Sequence, residues 1–463
     1  MDQLSQLDAS LLYLNDTVPG HLANLALFRT PTRGSLRYQD LCRIVERGLS
    51  QVPRYRQKVK RVPGGLGGPV WVDDSGFEVT RHVRRSQLPA PGTMEQLEEL
   101  VARICARGLD HDRPLWEIYL VEGLADGLVG IISKTHEVLV DGAAVDLMQV
   151  LHGPGPVGGT PALPWRPAAE PTPFALASGA IGDLLRRPQR LLDTAYQGLS
   201  GAGRAWGAVA GAAGDVLAAV RTAARPAPPS PLNVPIGDQR RFTTLDTDLS
   251  AYRAVRRTRD VSITDVVLAA VTGGLRSWLM VHGGVLDRGR VLRAMVPVSV
   301  RAGLDDQAIG TGATRVSAVL VDLPVGEPNP MVRLHQIGYA LYSRRQSGHF
   351  VRADRMVALS GFAPPTLHAL GVKAVSRFSR RLHNLVVSNV PGPQEPLYLA
   401  GARLTRTYPV VPLLPGQALA VGVTSYHGGV YYGLNADRTV VSDLDVMADL
   451  IAESLAELVE AAG

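Results

Sequence analysis

Between Gly153 and Pro231 the chain changes character, and that change limits the architectures open to it. Gly153 to Pro173 is crowded with proline and glycine, and Pro226 to Pro231 closes the segment in the same style. Such composition opposes regular packing and reads as a connector. On both sides of it, strand-length apolar runs alternate with stretches of helical spacing. A chain of 463 residues cut in this way is long enough for more than one core. The expected fold class is α/β (α+β), with an N-terminal domain over 1–152, a connector over 153–231 and a C-terminal domain over 232–463.

Local signals place the elements. Thr93-Met-Glu-Gln96 fits a capping box ahead of a helix over 93–109, and Ser262-Ile-Thr-Asp265 caps another that runs to about Leu279. A third helix is expected over 35–49 and a terminal amphipathic one over 443–462. Trp116 to Glu122 alternates polar and apolar, and Leu128 to Lys134 is a short apolar run. Ala125-Asp126-Gly127 between them predicts a hairpin. Further strands are expected at 291–296, 314–323 and 385–390, with a hairpin over 418–435 turning through His427-Gly428-Gly429. After Gly142, residues 143–151 lack Pro and Gly and carry helical spacing.

The net charge of +6 leaves room for anionic lipid surfaces or phosphate-bearing substrates. Lysine occurs only four times, so the basic count is carried by arginine. That charge is dispersed, without basic-aromatic patterning, and argues against nucleic acid. Cys42 and Cys105 fall within helical stretches and read as buried free thiols, with neither metal-ligand spacing nor a disulfide framework. The first residues lack the pattern of a secretory leader, and no run of about 18 apolar residues predicts a membrane span. The expected location is cytoplasmic. Within the connector, Ile181, Leu184, Leu185, Leu191, Leu192, Ala195 and Leu199 share one helical face, opposite Arg186, Arg187 and Arg190. That helix either packs on the protein's own core or lies against a membrane or lipid-droplet surface.

The stretch with chemical content is His136-Glu137-Val138-Leu139-Val140-Asp141-Gly142, on a strand-to-helix loop where side chains are presented rather than packed. Histidine and glutamate can both accept a proton, an aspartate can orient or pair, and a glycine permits close approach. The bland reading is a solvated surface pair.

The whole chain resembles the bacterial bifunctional wax ester synthase/acyl-CoA:diacylglycerol acyltransferase family. The resemblance is carried by Leu4 to Tyr13, Pro114-Leu115-Trp116, Asn233 to Gly237 with Arg240-Arg241, Pro297 to Arg301, Ser388 to Pro393, and Ser425-Tyr426 with Gly433 to Arg438. It implies two chloramphenicol-acetyltransferase-like (condensation-domain-like) domains with a tunnel between them. Acyl-CoA would enter the tunnel from one side and a hydroxyl-bearing lipid acceptor from the other. The implied reaction is direct transfer of a fatty acyl group to diacylglycerol or a long-chain alcohol, assisted by a general base, without a metal or a resident cofactor.

The resemblance also assigns roles. The motif's second histidine, the family's base, is Glu137 here, so Glu137 becomes the altered base and His136 its alternative. Asp141 is read as structural, paired with Arg301, and Gly142 as a point of substrate approach. Ser388 and Asn389 are candidates to stabilise the developing oxyanion. The family's Asn-Asp pair is Thr264-Asp265 in this chain, with Asp265 in a supporting role. Three readings stay open: an acyltransferase with an altered base, a relative that binds acyl-CoA or lipid without turnover, and an acyltransferase of a natural-product pathway.

Overall fold

The computed structural model describes residues 2–4, 9, 12, 20–30, 36–50, 52–63, 68–140, 165–186, 226–258, 261–283, 286–300, 315–346, 351–352 and 382–463. In chain order the strands are β1 (Asp2–Gln3), β2 (His21–Arg29), β3 (Gln57–Lys60), β4 (Val70–Asp73), β5 (Val83–Gln87), β6 (Trp116–Glu122), β7 (Leu128–His136) and β8 (Arg240–Asp248). They continue with β9 (Leu292–Val300), β10 (Arg315–Leu323), β11 (Val351–Arg352), β12 (Leu385–Pro391), β13 (Tyr398–Leu399), β14 (Ala402–Val410), β15 (Leu419–Tyr426) and β16 (Gly429–Asp437). The helices are α1 (Tyr38–Gly48), α2 (Val79–His82), α3 (Met94–Ala106), α4 (Glu137–Val140), α5 (Pro173–Arg186), α6 (Leu249–Thr258), α7 (Ile263–Val281), α8 (Pro330–Gln346) and α9 (Leu444–Ala462).

Two large sheets organise these elements. The first has six strands in the order β13-β14-β2-β7-β6-β5, and the second has seven in the order β11-β10-β9-β12-β15-β16-β8. The β6–β7 hairpin forms where alternation predicts it, and its turn places Asp126 and Gly127 at positive φ. In the first sheet, Ala23, Leu25 and Leu27 of β2 face one core with Ile132 of β7, while Ala26 and Phe28 face another with Ile131. This is the alternation of side chains across a pleated strand.

Both expected capping boxes are present. Thr93 Oγ1 accepts the Gln96 amide at 3.3 Å, and Gln96 Oε1 accepts the Thr93 amide at 2.9 Å. Ser262 Oγ and Asp265 Oδ2 exchange the equivalent bonds at 3.2 and 2.6 Å. Each box satisfies two amides that a helix start otherwise leaves unpaired. Cys42 and Cys105 are buried free thiols, as expected.

Helix α7 is long and apolar enough by composition to cross a bilayer, which the sequence reading did not anticipate. It is nevertheless a core helix, buried against α9 and the second sheet. Gly273 and Gly274 let α9 approach closely. A Cβ at Gly274 would stand 2.5 Å from Ile451 Cγ1 and 2.9 Å from its Cα.

Sheet membership departs from chain order in one place. Strands β13 and β14 lie within the expected C-terminal domain of 232–463 yet complete the first sheet, where β14 pairs with β2. Leu404, Tyr408 and Val410 of β14 are buried in the cores of that first sheet, which is what holds the strand there. The two sheets are tied further by Glu98 of α3, whose carboxylate accepts both the amide (2.8 Å) and hydroxyl (2.6 Å) of Thr244 on β8. Arg438 pairs with Glu99 at 2.8 Å beside it. Of the amphipathic connector segment, only α5 falls within the described residues, and side chains from 180 to 199 lie outside them.

Candidate active site

Strand β7 runs to His136 and α4 begins at Glu137, so the two motif residues belong to different elements. The sharp change of direction is anchored by Val138 and Leu139, which are buried in the first core. Glu137 is left half-buried at the strand end.

His136 is held from several sides. Its amide donates to the Leu115 carbonyl at 3.0 Å, and its Nδ1 accepts the Val138 amide at 3.2 Å. A ring nitrogen that accepts an amide carries no proton, so in the neutral ring the proton is on Nε2. The side chain is 2% exposed, and burial, followed by the nearby His111, pushes its pKa down to about 4. His136 is therefore a neutral ring at pH 7 and a weak base.

Directly across the β2–β7 ladder stands His21. Burial holds its pKa well below the ordinary imidazole value, with the charge of Lys134 acting in the same direction. Lys134 is itself buried, two residues before His136 on the same face of β7. The Pro114-Leu115-Trp116 element acquires a physical meaning here. Leu115 receives the His136 amide, and Trp116 pairs with Thr135 while its Nε1 donates to the Tyr55 carbonyl at 2.7 Å.

A second cluster forms on the other sheet. Ser388 and Asn389 are half-buried on β12, a central strand with parallel neighbours on both sides. Asn389 Nδ2 donates to Thr264 Oγ1 at 3.1 Å, joining β12 to the first turn of α7. Asp265, the third residue of α7, closes the capping box described above and is buried. The structure thus sets Glu137 directly after His136 and joins Asn389 to Thr264, the residue before Asp265. Asp141, Gly142 and Arg301 lie outside the described residues, as does the helix expected over 143–151.

Residues missed by sequence reasoning are His21, Lys134 and His111. His21 is remote from both motif elements, whereas Lys134 stands two residues before His136 in the predicted strand run and His111 stands three residues before Pro114. On the same loop, Asp112 and Arg113 help line a polar cavity of about 200 Å³ with Lys58, Asp74, Arg81 and His82. Its cations are already paired, Lys58 with Asp74 at 3.4 Å and Arg81 with Glu78 at 3.1 Å.

Comparison with known proteins places the chain in a family. A family model described as the wax ester synthase/diacylglycerol acyltransferase catalytic domain matches residues 4–267, and its C-terminal domain counterpart matches 313–459. The probable diacyglycerol O-acyltransferase tgs1 of Mycobacterium tuberculosis is 33% identical over 462 residues, covering 99% of this chain and 96% of that protein. The wax ester synthase/diacylglycerol acyltransferase structure from Marinobacter aquaeolei VT8 superposes with a TM-score of 0.67 at 26% identity and covers all of both chains. The first condensation domain of the calcium-dependent antibiotic synthetase superposes at 0.59 and 14% identity, covering 99% of this chain and 96% of that one, which speaks to fold alone. The two-domain chloramphenicol-acetyltransferase-like fold expected from the sequence is the fold observed.

Proposed function

The chain belongs to the wax ester synthase/diacylglycerol acyltransferase family, and we propose that it esterifies diacylglycerol or a long-chain alcohol from acyl-CoA with Glu137 as the proton acceptor. It is an acyl-CoA-dependent acyltransferase. The observation that carries the reading is the end-to-end match to its relatives, with the motif set at the turn from β7 into α4.

The proposed step is direct. The acceptor hydroxyl oxygen attacks the thioester carbonyl carbon, and its proton passes to the Glu137 carboxylate. The C–S bond then breaks as the tetrahedral intermediate collapses, and Glu137 returns the proton to the CoA thiolate. The products are an ester and free CoA, with acyl-CoA as substrate and no resident cofactor. A positioned base is worth about 10²–10⁴-fold in such a reaction.

Glu137 is favoured over His136 on geometry. The Nδ1 of His136 is engaged by the Val138 amide and its ring is buried, whereas Glu137 is half-buried at the strand end. Asn389 spends one of its two amide protons on Thr264. The other can face a developing oxyanion, whereas Ser388, the preceding residue of β12, turns to the opposite face of the strand, away from Asn389. A tunnel between the domains, Asp141–Arg301 pairing and close approach at Gly142 complete the proposal. The protein is proposed to work in the cytoplasm, touching membrane or droplet surfaces through the arginine-bearing segment 181–199, whose sequence has the spacing of an amphipathic helix.

The test is incubation of purified protein with labelled palmitoyl-CoA and a panel of diacylglycerol and fatty alcohol acceptors. Ester formation above a heat-killed control is expected. Binding of acyl-CoA with no ester from any acceptor would replace the proposal with a non-catalytic binding role.

A further inference from the structure

The loop over 107–115, between α3 and β6, is fastened to the end of β7 at three points. At its start, Lys134 Nζ donates to the carbonyls of Ile104 (3.1 Å), Arg107 and Gly108 (3.4 Å). In its middle, the His111 ring stands edge-on to His136, with centroids 6.2 Å apart and planes at 89°. At its end, Leu115 accepts the His136 amide.

Lys134 is 1% exposed. A buried ammonium is costly unless its protons are placed, and here they go to the carbonyls that close a helix and open the loop. His21 lies close to the same helix end, near the Cys105 backbone. The contacts then run in one direction toward the reacting group. The loop places His111, His111 abuts His136, and the His136 ring accepts the amide of Val138, the residue after Glu137.

We propose that Lys134 clamps the 107–115 loop to the motif strand so that His111 is held against His136, making Lys134 and His111 positioning residues for acyl transfer. This rests on the acyltransferase reading and extends it to residues outside the motif. His111 faces His136 from the loop and His21 faces it across the β2–β7 ladder, while Lys134 of β7 and Arg240 of β8 lie near His21 and Cys105. Burial and the nearby His111 keep the His136 ring neutral, and removing His111 takes away the second of these influences.

The experiment compares wild type with His111→Ala, His111→Phe and Lys134→Met by steady-state kinetics and by NMR titration of selectively labelled histidines. In wild type, the His136 signal should not titrate above pH 5.5, against an ordinary imidazole pKa of about 6.5. His111→Ala should shift that titration upward and lower kcat by about tenfold while leaving KM for palmitoyl-CoA unchanged. His111→Phe, which keeps an edge-on ring, should retain most turnover. Lys134→Met should reproduce the alanine phenotype if circular dichroism shows it folded, and if it does not fold the His111 variants decide. His111→Ala with wild-type kcat and titration would overturn the proposal, as would His111→Phe losing as much as alanine. If wild type forms no ester at all, the acyltransferase reading fails, and the titrations still decide whether the clamp exists.

Discussion

Gly422 and Gly433 face each other across the β15–β16 ladder, and the backbone of Pro409 crosses directly over the pair. A Cβ at Gly422 would stand 2.9 Å from the Pro409 carbonyl oxygen, and one at Gly433 would overlap it. This is where β14, on its way through the first sheet, passes against the second. Two missing side chains let it do so.

Gly433→Val should therefore push the sheets apart where β14 crosses. Overpacking of a filled core costs about 1–3 kcal/mol, and the obstacle here is backbone that cannot swing away. The expected result is a fall in thermal midpoint together with a loss of turnover. A Gly428→Ala variant in the exposed hairpin turn, strained by its φ of 86° but open in space, should lower the midpoint without affecting the sheet junction. Equal loss of activity in both variants would show that the junction has no special role.

The pH dependence of stability should be steep on the acid side. His136 and His383 are both buried with pKa values pushed down to about 4, and His21 is also lowered. In the unfolded chain these rings bind protons near pH 6.5, so between pH 6.5 and 4 the unfolded state holds more protons than the folded one. Stability is complete above pH 6.5 and falls as pH drops, by up to roughly 3 kcal/mol each for His136 and His383, with His21 acting in the same direction. Urea midpoints measured from pH 7.5 to 5 should show this slope. His383→Asn keeps an acceptor for the Gln417 amide and removes the titration, so its slope should be shallower. An unchanged slope would remove His383 from the account.

Much of the fold was legible in the sequence because its signals are local. A capping box needs only residues such as Thr93 and Gln96, three apart, and the His427-Gly428 turn needs two positive φ values, observed at 44° and 86°. The partner of a strand is not a local property. Residues 402–410 alternate as a strand should, but nothing in them says that β2, nearly four hundred residues earlier, is the neighbour. The same holds in the site. His136, Glu137 and Asn389 were named from a motif, whereas Lys134 and His21 sit where only the packing of α3 on the strands gives them a role.

Glu137 is the position where chemistry is tested most directly. Glu137→Gln keeps size and hydrogen bonding but cannot accept the hydroxyl proton. It should lower kcat by at least about 10²-fold with acyl-CoA affinity unchanged. Glu137→His restores the family motif, and a tenfold gain would correspond to about 1.4 kcal/mol of added transition-state stabilisation. A fully active Glu137→Gln would move the base elsewhere, with His136 the first to examine.

Thr264 offers a finer test, because it stands where the family carries asparagine and still holds Asn389 at 3.1 Å. Thr264→Val keeps the shape of the side chain and removes the hydroxyl, so Asn389 loses an acceptor and the amide is free to turn. The lost hydrogen bond should cost about 1 kcal/mol of stability. If Asn389 stabilises the oxyanion, the larger effect falls on kcat, since an oxyanion donor that is no longer aimed loses much of its worth, about 10²-fold or more when such a donor is removed outright. KM for acyl-CoA should change little, because the interaction strengthens only as charge develops. Thr264→Asn retains a side-chain acceptor and should recover most of the turnover that valine loses. A valine variant that loses stability while keeping wild-type kcat would assign the Thr264–Asn389 bond to holding α7 on β12 and leave the oxyanion to other donors.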